Sequence, residues 1–363
     1  MQQVNPENYG SQLEEKINWL KSEFQTLPLP EITVYDSAPM HYRMRAEFRI
    51  WHEQGRAHFA MNQPGEKTPY TIESFPPGSE LMNNLMAPLL EAINASPILS
   101  RRLFSAEFLT TLSGEALITL IYHKALDEQW EQEARQLQTT LGFPIIGRSR
   151  KQKLVLDRDY VTETLHVAGR EYRYQQVESG FTQPNAQVNQ KMLGWALDSA
   201  SICTGDLLEL YCGNGNFTCV LAGQFDRVLA TEISKLSVRS AQLNLASNGV
   251  DNVTIVRMSS EEFTEALNGV RPFRRLKDIN LGEYRFSTIF VDPPRAGLDD
   301  ATVELAQRFD NIIYISCNPV TLKANLEAFA SSHQIERFAV FDQFPYTHHL
   351  ECGAFLMKHG TTS

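Results

Sequence analysis

From about residue 181 onward the chain alternates short apolar runs with helical patterns, and this alternation limits the fold more than any other feature. It predicts a helix over 185–200, a strand at 206–211 and a helix from about 216. Strands follow at 227–232, 252–257, 286–291 and 311–316, with helices at 235–248, 259–267, 299–308 and 320–331. Strands that each lead into a helix read as members of one parallel sheet. The last two, near 334–342 and 351–357, have no helix between them and should pair antiparallel. By itself the alternation specifies an α/β fold and no family.

Residues 1–180 read as a separate α+β domain with a mostly antiparallel sheet, which divides the chain into 1–180 and 181–363. A first helix over 7–24 carries Leu13, Ile17, Leu20 and Phe24 at helical spacing. Residues 41–51 alternate strictly: Tyr42, Met44, Ala46, Phe48 and Ile50 point one way, and Arg43, Arg45, Glu47 and Arg49 the other. A solvated sheet face would explain the arginines of one strand. With Trp51, Phe59 and Phe104 nearby, a surface for phosphates and stacked bases explains them equally well, and Arg43, Arg45, Arg49 and Phe104 are its candidate residues. A helix over 78–95, strands at 106–112 and 116–122, a helix over 127–141 and short strands across 144–178 complete this half.

A chain of 363 residues has room for two such domains and a sizeable core. Its net charge of −10 argues mildly against nucleic-acid binding. Two basic clusters run the other way: Arg148, Arg150, Lys151 and Lys153, and Arg271, Arg274, Arg275 and Lys277. No window approaches the ~18 apolar residues of a membrane helix, and the opening residues lack the basic and apolar regions of a secretion signal. The five cysteines form no CxxC pair, so reduced thiols in the cytoplasm are expected, without zinc or an iron–sulfur cluster. No coiled coil or exposed apolar stripe is evident, and a monomer is expected.

Chemistry concentrates where strands end. Residues 312–319, IIYISCNP, form a buried strand that stops at Cys317, and residues 289–298, IFVDPPRAGL, form another that stops at Asp292. Residues 344–355, FPYTHHLECGAF, bring Glu351. A free cysteine is most often a small core hydrophobe, and Cys203, Cys212, Cys219 and Cys352 are read so. Cys317 differs because it lies at a strand's carboxyl end opposite DPP, where a nucleophile belongs. Glu351 lies in an aromatic, largely apolar run that would raise its pKa and suit it to abstract a proton. The adjacent His348 and His349 point apart and have no further ligand set, so no metal is expected. LLELYCGNGNFT, residues 207–218, runs from a strand through a glycine turn into a helix, and Glu232 ends the next strand, placed to accept both hydroxyls of a ribose. The turn lacks the GxGxxG spacing of a dinucleotide site. In VDPPR, Arg295 stands where amine methyltransferases carry an aromatic residue, and its guanidinium suits a phosphate or a uracil carbonyl.

FTQPN (181–185), ELYCGNGNF (209–217), ATE (230–232), FVDPPR (290–295), YISCNP (314–319) and FPYTHHLECG (344–353) together resemble the RNA uracil-5-methyltransferase family, in the family's order. The resemblance implies a seven-stranded Rossmann-like class I methyltransferase domain behind an RNA-binding domain. It implies S-adenosylmethionine as methyl donor, held by Gln183, Tyr211, Asn216, Glu232 and Asp292, with Cys317 adding to carbon-6 of the uracil and Glu351 taking the carbon-5 proton. No cysteine precedes Cys203, so the iron–sulfur cluster of some ribosomal-RNA branches is not expected. The first half resembles the tRNA branch, which implies uridine 54 of the tRNA T loop as target and the similar arm of tmRNA as a second substrate. Uracil methylation in 23S ribosomal RNA is the alternative within the family, and an RNA-folding protein on the same scaffold is the alternative outside it.

Overall fold

A computed structural model describes residues 4–62 and 69–360, which fall into two compact units. The chain passes between them more than once. One unit comprises Ala38–Thr164 and Gln175–Ala186 with the residues before Asn8, and the other comprises Asn8–Ser37, Leu165–Tyr174 and Gln187–Ser363.

The first unit is built on a seven-stranded sheet in the order Tyr70–Ile72, Arg56–Met61, Arg45–Glu53, Leu103–Thr110, Ala116–Tyr122, Ile145–Ser149, Gln152–Val155. Neighbours pair antiparallel except Ala116–Tyr122 with Ile145–Ser149, which are parallel because helix Glu128–Leu141 crosses between them. That helix starts where the Asp127 carboxylate accepts the Trp130 N–H and stops at Gly142, whose φ of 77° a Cβ would disfavour. Its Trp130, fully buried, packs with Met82, Leu85, Met86, Leu89 and Ile93 of helix Glu80–Ala95 and with Phe48, Phe59 and Phe108 of the sheet. A Cβ on Gly147 would meet the Trp130 ring at 2.2 Å, so the glycine is what admits the indole.

The second unit carries an eight-stranded sheet in the order Ile32–Tyr35, His333–Phe341, Glu351–Lys358, Asn311–Ser316, Phe286–Val291, Asp206–Leu210, Val228–Thr231, Val253–Val256. The five strands from Asp206–Leu210 to Asn311–Ser316 run parallel, and the last two form the antiparallel pair. These seven are the predicted sheet. The eighth, Ile32–Tyr35, is an addition that pairs parallel with His333–Phe341 and stacks Tyr35 on Phe341 at 5.0 Å. Four residues between proline-rich and polar segments give too little periodicity to be read as a strand.

Helix α1 (Tyr9–Glu23) also belongs to this unit, although sequence order would assign it to the first. Its Leu20, with Phe24 just beyond, enters the core of the parallel sheet, where Phe24 meets Phe338 edge-on at 5.5 Å. The helix expected from about residue 216 is a single turn, Thr218–Leu221, continued by a 3₁₀ turn to Gln224.

Candidate active site

The site collects at the carboxyl ends of three neighbouring strands, and register explains the grouping. Val291 pairs with Leu210 on one side and Tyr314 on the other, so Tyr211, Asp292 and the end of the Asn311–Ser316 strand lie side by side. Ser316 pairs with Cys352 in the antiparallel neighbour, which brings Cys317 beside Glu351. Cys317 is partly exposed, whereas Cys203, Cys212, Cys219 and Cys352 are buried.

The turn after Cys317 is held by its neighbours. Asn318 caps helix Pro319–Phe329 by accepting the Val320 N–H and donates its amide to the Arg295 carbonyl at 2.8 Å. Asn325 accepts from the Leu298 N–H and from the Tyr314 hydroxyl, which pins the DPPRAGL loop from below. The Arg295 guanidinium donates to Nδ1 of His349 at 2.9 Å, which places the ring proton on Nε2. Burial lowers the His349 pKa and keeps the ring neutral for that role.

Three acids here lack a matching cation. Burial raises the Glu351 carboxyl to about 8, with Asp292 adding to the rise and Arg295 opposing it. Burial alone raises Asp292 to about 7. Glu209, beneath the glycine turn, is lifted by burial to about 8, and its Oε2 has no hydrogen-bond partner among the described residues. The Cys317 thiol is pushed up to about 11, first by burial and then by Glu351 and Asp292, against Arg295. It is therefore a thiol at neutral pH, and its proton must leave when the reaction begins.

Next to this group the backbone turns sharply. Tyr211 has φ of 62°, an unusual value for a non-glycine residue, and Gly213 and Gly215 follow at 56° and 81°. The Tyr211 hydroxyl is anchored on Ser260 Oγ at 2.7 Å. Glu232 accepts the Gly213 N–H at 3.1 Å through one oxygen and the Ser234 N–H at 2.7 Å through the other, so each oxygen keeps a lone pair for a hydroxyl. Asn216 and Asn189 exchange amide hydrogen bonds of 2.9 Å, and Tyr174 donates to the Asn216 carbonyl. Gln183 lies in the first unit, partly exposed, between buried Thr182 and Asn185.

The arginine strand is uneven. Arg43 is partly buried and donates to the Arg45 carbonyl. Arg45 is spent on Glu107 and on the carbonyls of Glu178 and Gly180. Arg49 is exposed, lies over Trp51 at 5.4 Å and Phe104 at 6.0 Å, and lines a pocket of about 270 Å³ in which Phe104 stacks on His123 at 4.3 Å. Both basic clusters are partly neutralised: Arg148 pairs with Glu178, Lys153 with Asp159, Arg271 with Glu265 and Arg275 with Glu262.

Sequence reasoning missed Glu209, Ser260, Asn189 and His123. Glu209 was visible as an acid inside an apolar strand, and the other three act through tertiary neighbours that nothing local announces. Among the described residues no group of His, Cys, Asp and Glu is arranged to hold a metal, and no helix is long and apolar enough to cross a membrane.

Comparison with known proteins places this geometry in context. The family described as tRNA (Uracil-5-)-methyltransferase matches residues 8–359. The chain is 60% identical over 350 residues to a tRNA/tmRNA (uracil-C(5))-methyltransferase of Cellvibrio japonicus, covering 96% of each chain. It is 56% identical over 357 residues to the protein of that name from Neisseria meningitidis, covering 97% of this chain and 99% of the other. The fold is shared with Pyrococcus abyssi tRNA (uracil-54, C5)-methyltransferase, solved in complex with S-adenosyl-L-homocysteine. The TM-score is 0.73 at 21% identity, over 96% of this chain and 84% of that one.

Proposed function

The chain belongs to the tRNA (uracil-5-)-methyltransferase family, and from that premise we propose that it methylates carbon-5 of uridine 54 in the T loop of tRNA through a covalent Cys317 adduct. The equivalent uridine of tmRNA is the second substrate, in keeping with the names of the relatives.

The residues present fit S-adenosylmethionine. Three consecutive-but-one residues at positive φ bend the backbone where a nucleoside can approach, an unpartnered Glu209 oxygen lies beneath, and Glu232 offers free lone pairs. Tyr211, Asn216, Glu232 and Asp292 would hold it. When bound it supplies an electrophilic methyl group.

Carbon-5 of uracil is a weak nucleophile until a group adds at carbon-6. Cys317 gives up its thiol proton to solvent as Sγ bonds to carbon-6, the C5=C6 pair moves toward the C4 carbonyl, and carbon-5 becomes nucleophilic. Arg295, the cation that offsets Cys317 and Glu351, is the group suited to the charge on that carbonyl. After carbon-5 is methylated, Glu351 takes its proton, the C–H pair restores C5=C6, and Cys317 leaves as thiolate. The target uridine must be extruded from the folded T loop at a cost of a few kcal/mol. We assign that task to the first unit, with Arg49 and Phe104 as the contacts; Arg43 and Arg45 brace the strand that presents Arg49. The protein acts in the cytoplasm as a monomer.

The observation that carries this reading is the strand register that sets Cys317 beside Glu351. It is tested with tRNA containing 5-fluorouridine, whose fluorine cannot leave as a proton does. A band stable to denaturation that requires both S-adenosylmethionine and Cys317, and that maps to position 54, is the expected result. Active enzyme that forms no such band would remove Cys317 from the mechanism.

A further inference from the structure

Helix α1 lies more than three hundred residues from Glu351 in sequence, yet within the second unit its polar side chains converge on the segment that delivers Glu351. Tyr9, Gln12 and Lys16 follow one another at i, i+3 and i+7 and so share a face of the helix. Lys16 Nζ donates to the Asp342 carboxylate at 2.7 Å and to the carbonyls of Phe344 at 2.9 Å and His349 at 3.1 Å. Gln12 donates to the Thr347 carbonyl at 3.2 Å and accepts the Tyr346 N–H at 3.0 Å. Tyr9 donates to the second oxygen of Asp342 at 2.9 Å, accepts the Ser37 N–H, and meets the Tyr346 ring edge-on at 6.0 Å.

The segment so held, residues 342–350, joins the His333–Phe341 strand to the strand that begins at Glu351. It has no regular structure and includes Tyr346 at a φ of 60°. An irregular loop with a strained residue would not keep one conformation by itself. α1 fixes it at four backbone groups and at the Asp342 carboxylate. From His349 the contacts continue to Arg295, and from the Arg295 carbonyl to Asn318, the neighbour of Cys317. Lys16 is 6% exposed and Asp342 fully buried, an ionic pairing that a helix needing only an apolar seam would not require.

We propose that Gln12 and Lys16 are positioning residues for the reaction: they hold residues 342–350 so that Glu351 reaches the carbon-5 proton and His349 keeps Arg295 over the site. The proposal rests on Glu351 being the base.

When that proton is taken, the C5–H pair becomes C5=C6, the C6–Sγ bond breaks and the proton resides on Glu351. If Glu351 is displaced, methyl transfer still occurs and the methylated adduct waits on Cys317. The test is therefore made with ordinary tRNA and S-adenosylmethionine labelled in the methyl group, run on a denaturing gel beside a turnover assay. Gln12→Ala and Lys16→Met should lower kcat about tenfold to a hundredfold, leave KM for tRNA within about twofold, and accumulate labelled protein–RNA adduct. A role confined to stability would lower adduct and turnover together, in proportion to the folded fraction, and that result overturns the proposal. Gln12 is partly exposed, so its variant decides the matter if Lys16→Met does not fold. Glu351→Gln is the control. If it fails to accumulate labelled adduct, Glu351 is not the base and the functional reading fails. If it accumulates adduct while both α1 variants do not, the positioning role alone is wrong.

Discussion

The open sheet face of the first unit and the strand ends of the second treat charge in opposite ways. In the first, charged side chains of the open sheet face are matched: Arg45 with Glu107, Arg148 and Lys153 with Glu178, and Glu47 with the Ser105 hydroxyl. Glu178 is held below its ordinary pKa because Arg148 and Lys153 overcome the effect of burial. In the second, Asp292, Glu351 and Glu209 crowd around strand ends with Arg295 as the cation acting on Glu351 and Cys317, and their pKa values rise to about 7 or 8. Matched charges hold a surface in shape. Unmatched ones store proton affinity that a reaction can use.

The contrast breaks most visibly at Cys317. Cys317→Ala should reduce methylation to background and abolish the adduct with 5-fluorouridine tRNA, with the melting temperature little changed. Retained turnover would show that the unmatched acids serve another chemistry.

The pH profile sharpens the contrast next. Only the ionised Glu351 accepts a proton, so the rate of adduct resolution should rise with pH through an apparent pKa near 8. Rapid-quench measurement of adduct decay from pH 6 to 9 checks this, and a flat profile contradicts it.

Stability should show the same asymmetry. An acid with a raised pKa holds its proton in the folded state over a range where the unfolded chain releases it. Folding is therefore weakened as pH rises from about 4.5 to about 8 at Glu351 and from the ordinary aspartate value to about 7 at Asp292. Glu351→Gln should raise the melting temperature by about 2–4 °C at pH 9 and by less at pH 5. In the first unit, Arg45→Ala strands Glu107 and should cost about 1–3 kcal/mol in a denaturant titration. Arg49→Ala should stay within about 0.5 kcal/mol of the parent while weakening tRNA binding, and equal destabilisation by the two would erase the distinction.

Much of this was legible in the chain. Strand ends were marked by apolar runs that stop at Asp292-Pro293-Pro294 and Cys317-Asn318-Pro319, because a buried strand and its polar terminus differ in composition. The reading failed where meaning depends on a distant partner. Lys16 looks like any solvated charge on an amphipathic helix, and its burial follows from residues 342–349, which local pattern does not reveal. Arg45 and Arg49 occupy equivalent places in the alternation, and only the position of Glu107 across the sheet separates a brace from an exposed cation. The Ile32–Tyr35 strand was too short to register, since its pairing on His333–Phe341 supplies the stability that its own residues do not.

The sheet order of the second unit also fixes when the enzyme can become active during synthesis. Glu351–Lys358 lies between Asn311–Ser316 and His333–Phe341, so a late segment of the chain enters the interior of the sheet instead of extending its edge. Until it emerges from the ribosome, the neighbouring strands have open flanks, and α1, made long before it, has no loop to hold. Residues 38–164 need none of this and can complete their sheet beforehand. A nascent chain therefore acquires the surface of its first unit well before its base, and cannot turn over a uridine until both ends of the second unit have met.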